Sequence, residues 1–410
     1  METISQILAR ELKREQTHID NVKSLLDEGN TIPFIARYRK ELHGAMDDTA
    51  LRTLQERLEY LRSLQDRRET VKKAIEEQGK LTDELSLAID DASTLAALED
   101  LYRPYKPKRR TRATVAKEKG LEPLALALLA QTSDLEAPEK LAEAYIDAEK
   151  GVETVEDALS GASDIIAEIF SDDAAIRKTV RDMTESFASL TSKAAKEEDS
   201  VYRIYYDFTQ RVSRLQGYQI LALNRGEKEG FLKVSVELDR ELAVQRIRRQ
   251  VIVPGSSAMA FIRAAADDAY DRLIWPSMER EARNALTDMA CEGAINMFAL
   301  NLKPLLMQPP VKGKVTMGLD PGYAHGCKIA VVDGTGKVLD TTVVYPTFGE
   351  NKKRDAIRIL SAMIRKHGVE HLAIGNGTAS RETEQMVVEM LHELGGGQSY
   401  AIVNEAGASV

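Results

Sequence analysis

The sequence predicts a multidomain chain, mainly α from its start to Leu302 and then a truncated α/β domain from Lys314 to Val410. Three observations lead there. Apolar residues recur at helical spacing through the first part, as in Leu51, Leu54, Leu58 and Leu61. The stretch KPLLMQPPVKGK (Lys303–Lys314) then holds three prolines and a glycine without a helical period, and marks a linker at 303–313. Beyond it, short apolar runs alternate with turn signals and then with helical segments.

Taken in order, the first 198 residues read as a helical domain. Its helices are expected at Ile4–Leu12, Ile19–Asp27, Asp47–Gln78, Leu81–Ile89, Thr94–Tyr102, Glu122–Ala130, Pro138–Glu149, Val155–Phe170 and Ala174–Ser189. Many of these starts lie near Ser, Thr, Asp or Pro, which cap or open helices. Gln65 and Arg68 interrupt the leucine stripe of Asp47–Gln78, which makes it a long helix within a domain and not a coiled coil. Residues 199–302 read as a second, central helical region. Tyr202–Val212 and Leu215–Glu227 are expected to be helical, Gly230–Asp239 alternates like a strand, and helices Ala258–Ile274 and Pro276–Phe298 flank Trp275. Gln210–Gly226 has helix-turn-helix character, with Gly217 at the turn and Arg211, Arg214 and Arg225 as cations; a plain packing unit is the alternative.

The last domain, 314–410, opens with VTMGLDPG (Val315–Gly322), an apolar run that carries Asp320 to a strand end. Strands are expected at Cys327–Val332 and Val338–Tyr345 around the Asp333–Gly336 hairpin turn, followed by helix Asn351–His367, strand Glu370–Ile374, helix Ser380–Leu394 and strand Tyr400–Val403. Three antiparallel strands and then alternating helix and strand, with an Asp on the first strand, is a ribonuclease-H-like layout. In such domains that Asp holds metal, so Asp320 is the candidate metal residue; a simple turn residue is the alternative. Cleavage of phosphodiesters with two cations needs several converging carboxylates. The fourth strand ends at Asn376, which brings no charge, the fifth at Glu405, and the helix that would carry another acid should follow Val410. Asp320, Asn376 and Glu405 therefore read as vestigial, with no catalytic set and no cofactor. Mg²⁺ enters only if the chain is a nuclease after all.

Charge and composition narrow the function further. Among 410 residues, 56 Lys and Arg face 65 Asp and Glu, a net −9 that argues against a protein that coats nucleic acid indiscriminately. Two cysteines, Cys291 and Cys327, form neither a disulfide framework nor a metal-ligand spacing, and a reducing cytoplasm is the expected home. No segment reaches membrane-spanning length. Against the acidic background, Leu101–Gly120 carries eight cations and one acid. Pro104 and Pro107 are expected to hold it extended, spreading Arg103, Lys106, Lys108, Arg109, Arg110 and Arg112 along a surface that either contacts phosphates or is merely a solvated connector. TIPFIARYRKELHG (Thr31–Gly44) interleaves Phe34 and Tyr38 with Arg37, Arg39 and Lys40; it is either a base-stacking loop or a core plug with solvated cations. His367 and His371 straddle a helix end and do not form a metalloprotease motif, and the Gly-rich turns Gly375–Gly377 and Gly395–Gly397 lack the Lys and Ser/Thr of a P-loop.

Several stretches together resemble one family. FIARYRKE (Phe34–Glu41), LYRPYKPKRRTRATVAKEKGLEPLA (Leu101–Ala125), LALNRGEKEG (Leu221–Gly230), DRLIWPSMEREAR (Asp271–Arg283), GLDPGYAHGCKIAVVDGTGKVLDT (Gly318–Thr341), IGNGTASRETE (Ile374–Glu384) and NEAGASV (Asn404–Val410) are similar to the bacterial Tex transcription accessory proteins. The resemblance implies a helical N-terminal region, a YqgF/RuvC-type ribonuclease-H-like domain lacking a full nuclease set, and, further along, helix-hairpin-helix and OB-fold RNA-binding modules. It also implies nucleic acid, RNA or DNA, as partner and a link to transcription; a helical interaction scaffold that docks on the transcription or translation machinery is a separate alternative. Tyr218-Gln219 departs from the His-Arg pair common in the family. On this reading the chain is an N-terminal fragment.

Overall fold

The computed structural model describes residues 2–196, 198–307 and 311–405. It divides into two compact units, Met1–Asp288 and Met289–Val410.

The first unit begins with α1 (Ile4–Leu12), α2 (Gln16–Asp27) and α3 (Ile32–Tyr38), which pack on the first half of α4 (Asp48–Glu76). Leu8, Ile19, Val22, Ile35, Leu51, Leu54 and Leu58 form that core, so the leucine stripe of α4 is an intradomain seam. Thr3 and Gln6 close a reciprocal cap on α1, and Asp47 accepts from the Ala50 amide at the start of α4. Pro33 in the first turn of α3 lets Ile32–Tyr38 form a helix within Thr31–Gly44, where composition suggests a loop. The second half of α4 packs with α5 (Asp83–Asp91) and α6 (Leu95–Tyr102) around Leu64, Val71, Ile75, Ile89 and Leu98.

The Tyr102–Leu121 connector is not extended as expected. Pro104 sits in a 3-10 turn (Arg103–Tyr105), and Thr111 accepts from the Thr114 amide to start α7 (Arg112–Glu118). Proline fixes φ at a value that suits the first turn of a helix, so here it opens a turn instead of stretching the chain. The next core gathers α7, α8 (Glu122–Ala130), α9 (Pro138–Ala142), α10 (Val155–Asp172), α11 (Ala174–Phe187), then α13 (Arg240–Val251) and α14 (Met259–Asp268) further along the chain. The helix expected over Pro138–Glu149 stops at Ala142, because Asp147 turns back and bridges to Val152. Gly161 on α10 lets Leu121 approach closely: a Cβ there would stand 2.3 Å from the Leu121 Cδ1.

Between α11 and α13 lies a three-stranded antiparallel sheet of β1 (Ser189–Ala194), β2 (Asp207–Arg211) and β3 (Leu232–Glu237), in the order β2-β1-β3. α12 (Gly217–Lys228) packs on β3. Tyr202–Val212, expected to be helical, is thus a 3-10 turn and a strand; pairing with β1, remote in sequence, overrides the local signal. The same fact removes the helix-turn-helix at Gln210–Gly226. That segment is strand, 3-10 turn and one helix, with Gly217 opening α12 rather than turning between helices. The sheet also spans the expected 198/199 boundary. α14 continues through a π-helical segment (Ala269–Ile274) into α15 (Trp275–Leu306), so Trp275 does not separate two helices. α15 also carries Lys303–Leu306, the first part of the expected linker, as helix. Residues 308–310 of that linker lie outside the described residues.

In the second unit a five-stranded sheet runs in the order β6-β5-β4-β7-β8. β4 (Thr316–Asp320) pairs antiparallel with β5 (Cys327–Val332) and parallel with β7 (His371–Gly375); β6 (Val338–Val344) and β8 (Ser399–Val403) are the edges. α16 (Glu350–His367) and α17 (Ser380–Leu394) cover one face around Met317, Leu319, Ile329, Leu360, Leu372 and Met386. The strands and helices fall where alternation and periodicity place them. No helix among the described residues is long and apolar enough to cross a membrane.

Candidate functional sites: the carboxylate cleft and the basic segments

Alternation along β4 buries Met317 and Leu319 and turns Gly318 and Asp320 to the opposite face. Lys328 stands opposite Asp320 in register on β5, and its Nζ lies 3.6 Å from the Asp320 carboxylate. Both side chains are more than half exposed, so this pair is weakly held. At the end of β7, Asn376 donates its backbone amide to the Val403 carbonyl (3.0 Å), while its Oδ1 accepts from the Glu405 amide (3.2 Å). The Glu405 carboxylate lies against Gly375 and Gly377. A Cβ at 375 would stand 1.4 Å from Oε1 and one at 377 would stand 2.9 Å from Oε2, so the carboxylate lies in space that the two glycines leave open.

Asp320, Lys328, Gly375 and Glu405 line one cleft of about 520 Å³, and Asn376 braces the Glu405 backbone beside it. The structure brings together the two sequence-predicted carboxylates. Cys327, buried behind them, has its thiol pushed up to about 12 by burial and then by the Asp320 charge, which keeps it neutral. Glu405 Oε1 is buried and has no hydrogen-bond partner. It and the exposed Asp320 carboxylate, only weakly paired with Lys328, are the groups of this set open to a cation; Asn376 is neutral with its oxygen already engaged. Among the described residues no three His, Cys, Asp or Glu side chains converge to hold a metal. The residues do not fit a two-cation site, which needs several converging acids. His367 and His371 are likewise engaged apart, with Asp340 Oδ2 (2.8 Å) and Ser399 Oγ (2.5 Å).

The basic connector splits in two. Its first half is pinned by the protein's own acids: Arg103 and Lys108 reach Asp172, and Lys106 reaches Glu99. In the second half Lys117 meets Glu122, and the other cations are held more loosely. Arg109 is exposed and pairs with no acid among the described residues; Arg110, 71% exposed, meets only the exposed Glu118. Arg110 and Arg112 border a cleft of about 610 Å³ between α7 and α10, with Lys119 and the acids Asp157 and Asp164. In the other basic segment Ile32 and Ile35 enter the core, whereas Phe34 is half-buried and Tyr38 is 57% exposed.

Sequence reasoning missed one charged cluster. Arg177 on α11 is 2% exposed and donates to Asp100 on α6 (2.5 Å); Arg181 also donates to Asp100 (2.6 Å) and pairs with Glu281 on α15. No local spacing announces a contact between residues 77 positions apart.

Comparison with known proteins agrees with this architecture. The Tex-like protein N-terminal domain matches residues 2–76, the Tex central region-like model 133–298, and the Tex protein YqgF-like domain 314–410. The Bacillus subtilis protein YdcI is 45% identical over 99% of this chain and 57% of its own length. The transcriptional accessory protein Tex of Neisseria gonorrhoeae is 41% identical over 99% of this chain and 54% of its own length. Human S1 RNA-binding domain-containing protein 1 is 33% identical over 99% of this chain and 42% of its own length. The chain spans about half the length of the bacterial relatives. With all three domain models in their expected order and this identity along the whole chain, it belongs to the Tex family of transcription accessory proteins.

Proposed function

We propose that this chain binds nucleic acid as part of a cytoplasmic transcription accessory protein and does not cleave it. The names of the gonococcal and human relatives support that class. One observation carries the binding role: the outer half of the connector leaves Arg109, Arg110 and Arg112 exposed on an otherwise acidic chain, beside a cleft that also holds Lys119. An exposed pair such as Arg110 with Glu118 contributes little and exchanges readily for a phosphate. The pinned residues Arg103, Lys106 and Lys108 fix the connector in place instead of reading a partner.

The test is fluorescence anisotropy on single-stranded RNA and duplex DNA across a salt series. Changing Arg109, Arg110 and Arg112 to Ala lowers the log–log salt slope by about 0.7–0.9 for each phosphate that is no longer neutralised. An unchanged slope overturns this assignment. A metal-dependent nuclease is the second reading, favoured by the buried, unpartnered Glu405 Oε1 in the cleft with Asp320. Cleavage with Mg²⁺ or Mn²⁺ by a full-length relative, abolished by the counterpart of Asp320→Asn, replaces the non-catalytic reading with that one.

A further inference from the structure

We infer that α3 presents a stacking platform for unpaired bases, built from Phe34 and Tyr38 and flanked by Arg37, Arg39 and Lys40. This rests on the nucleic-acid-binding reading and adds the ligand's class: a single strand.

The residues divide sharply around α3. Ile32 and Ile35 complete the N-terminal core, while Phe34 and Tyr38, one turn apart, take no part in it. Their rings meet each other, with centroids 5.3 Å apart, and the Arg39 guanidinium lies over Phe34 at 5.2 Å. Phe34 is thus braced by Tyr38 and Arg39, and Tyr38 is left with more than half its surface in water. A large ring that is held in place yet contributes nothing to a core is suited to contact outside the molecule.

The charge around it is equally telling. On neighbouring α4 the chain matches four of its five arginines with acids, Arg52 with Asp48, Arg57 with Glu11, Arg62 with Asp27 and Arg67 with Glu99, while Arg68 donates to the Ala92 carbonyl. Arg37, Arg39 and Lys40 have no acid partner among the described residues; Arg39 donates only to the Tyr38 carbonyl. Three unmatched cations beside a braced, exposed ring form a combined demand: negative charge and a flat π face at one spacing. A single-stranded nucleic acid supplies both from every nucleotide, whereas in a duplex the base faces are stacked away. An acidic peptide supplies the charge alone and leaves the rings unexplained.

The experiment measures binding of the 410-residue chain to an oligouridylate of about twelve nucleotides and to a duplex of the same length. Tyr38→Ala is expected to weaken oligouridylate binding by about 5- to 100-fold and to leave duplex binding within about twofold. Tyr38→Trp restores the affinity, and Arg37→Ala lowers the single-strand salt slope by about 0.7. Melting curves matching the wild type certify the fold of each variant. If Tyr38→Ala binds oligouridylate normally while the Arg109, Arg110, Arg112 triple variant does not, the platform is wrong and the broader reading stands. If the unaltered chain binds no nucleic acid, both fall. Equal weakening on duplex and single strand, or equal displacement by polyglutamate, overturns stacking in favour of simple charge contact or an acidic protein partner.

Discussion

Individual side chains decide whether the second unit holds a usable acid or a structural one. Asp340 is such a case: its carboxyl is held at about 2 by hydrogen bonds from His367 and Lys366 at the end of α16. A carboxyl depressed on folding contributes stability above its unfolded value of about 3.9, and that contribution is lost as pH falls toward 2. The Tm difference between wild type and Asp340→Asn should therefore be largest above about pH 4 and shrink steadily below it. A difference that stays constant across that window removes the ion-pair account. Asp320 behaves differently. It is exposed beside Lys328 and lines the cleft, so its charge is available to a ligand more than to the fold.

At the level of elements, close approach matters more than propensity. α10 crosses α7 and the Leu121 corner at the one position without a side chain, Gly161, and a Cβ there would meet Leu121 at 2.3 Å and Ala116 at 3.3 Å. Gly→Ala in an exposed helix stabilises by about 1 kcal/mol. Here both neighbours are buried, and overpacking costs about 1–3 kcal/mol, so the net sign reverses. Urea unfolding should show Gly161→Ala less stable than wild type; a stabilised variant would falsify the close packing of α7 on α10. Displacing α7 would also move Arg112 and the cleft it borders, so the same change should weaken nucleic-acid binding where the connector contributes to it.

Across the first unit, one buried network joins elements that the sequence keeps far apart. Asp100 of α6 accepts from both Arg177 and Arg181 of α11, and Glu281 of α15 answers the two arginines from the other side. Arg177 is 2% exposed and Asp100 6%, so removing one partner strands a charge in the interior. Asp100→Asn should cost about 3–5 kcal/mol in urea unfolding. A decrease below about 1 kcal/mol, the range of exposed pairs, assigns the joint to apolar packing alone.

Much of this protein is legible in the sequence by itself, because much of it is decided within a few residues. Capping by Thr3, Asp47 and Thr154 and the period of Leu51–Leu61 place the helices, and the Asp333–Gly336 turn with alternation in β4 to β6 sets the α/β order. The collinear motifs give the family, and Asp320 and Glu405 stand out as strand-end acids even without the cleft that joins them. What the sequence leaves undecided depends on partners remote along the chain. β2 is a strand through pairing with β1, and the prolines of the connector open a turn on a packed surface. The cations of that connector divide into pinned and free according to Asp172 and Glu99, acids brought close only by folding. Phe34 and Tyr38 are ambiguous for the same reason: a one-dimensional pattern records that a ring is apolar, whereas only the packed helix decides whether the ring faces the core or the water.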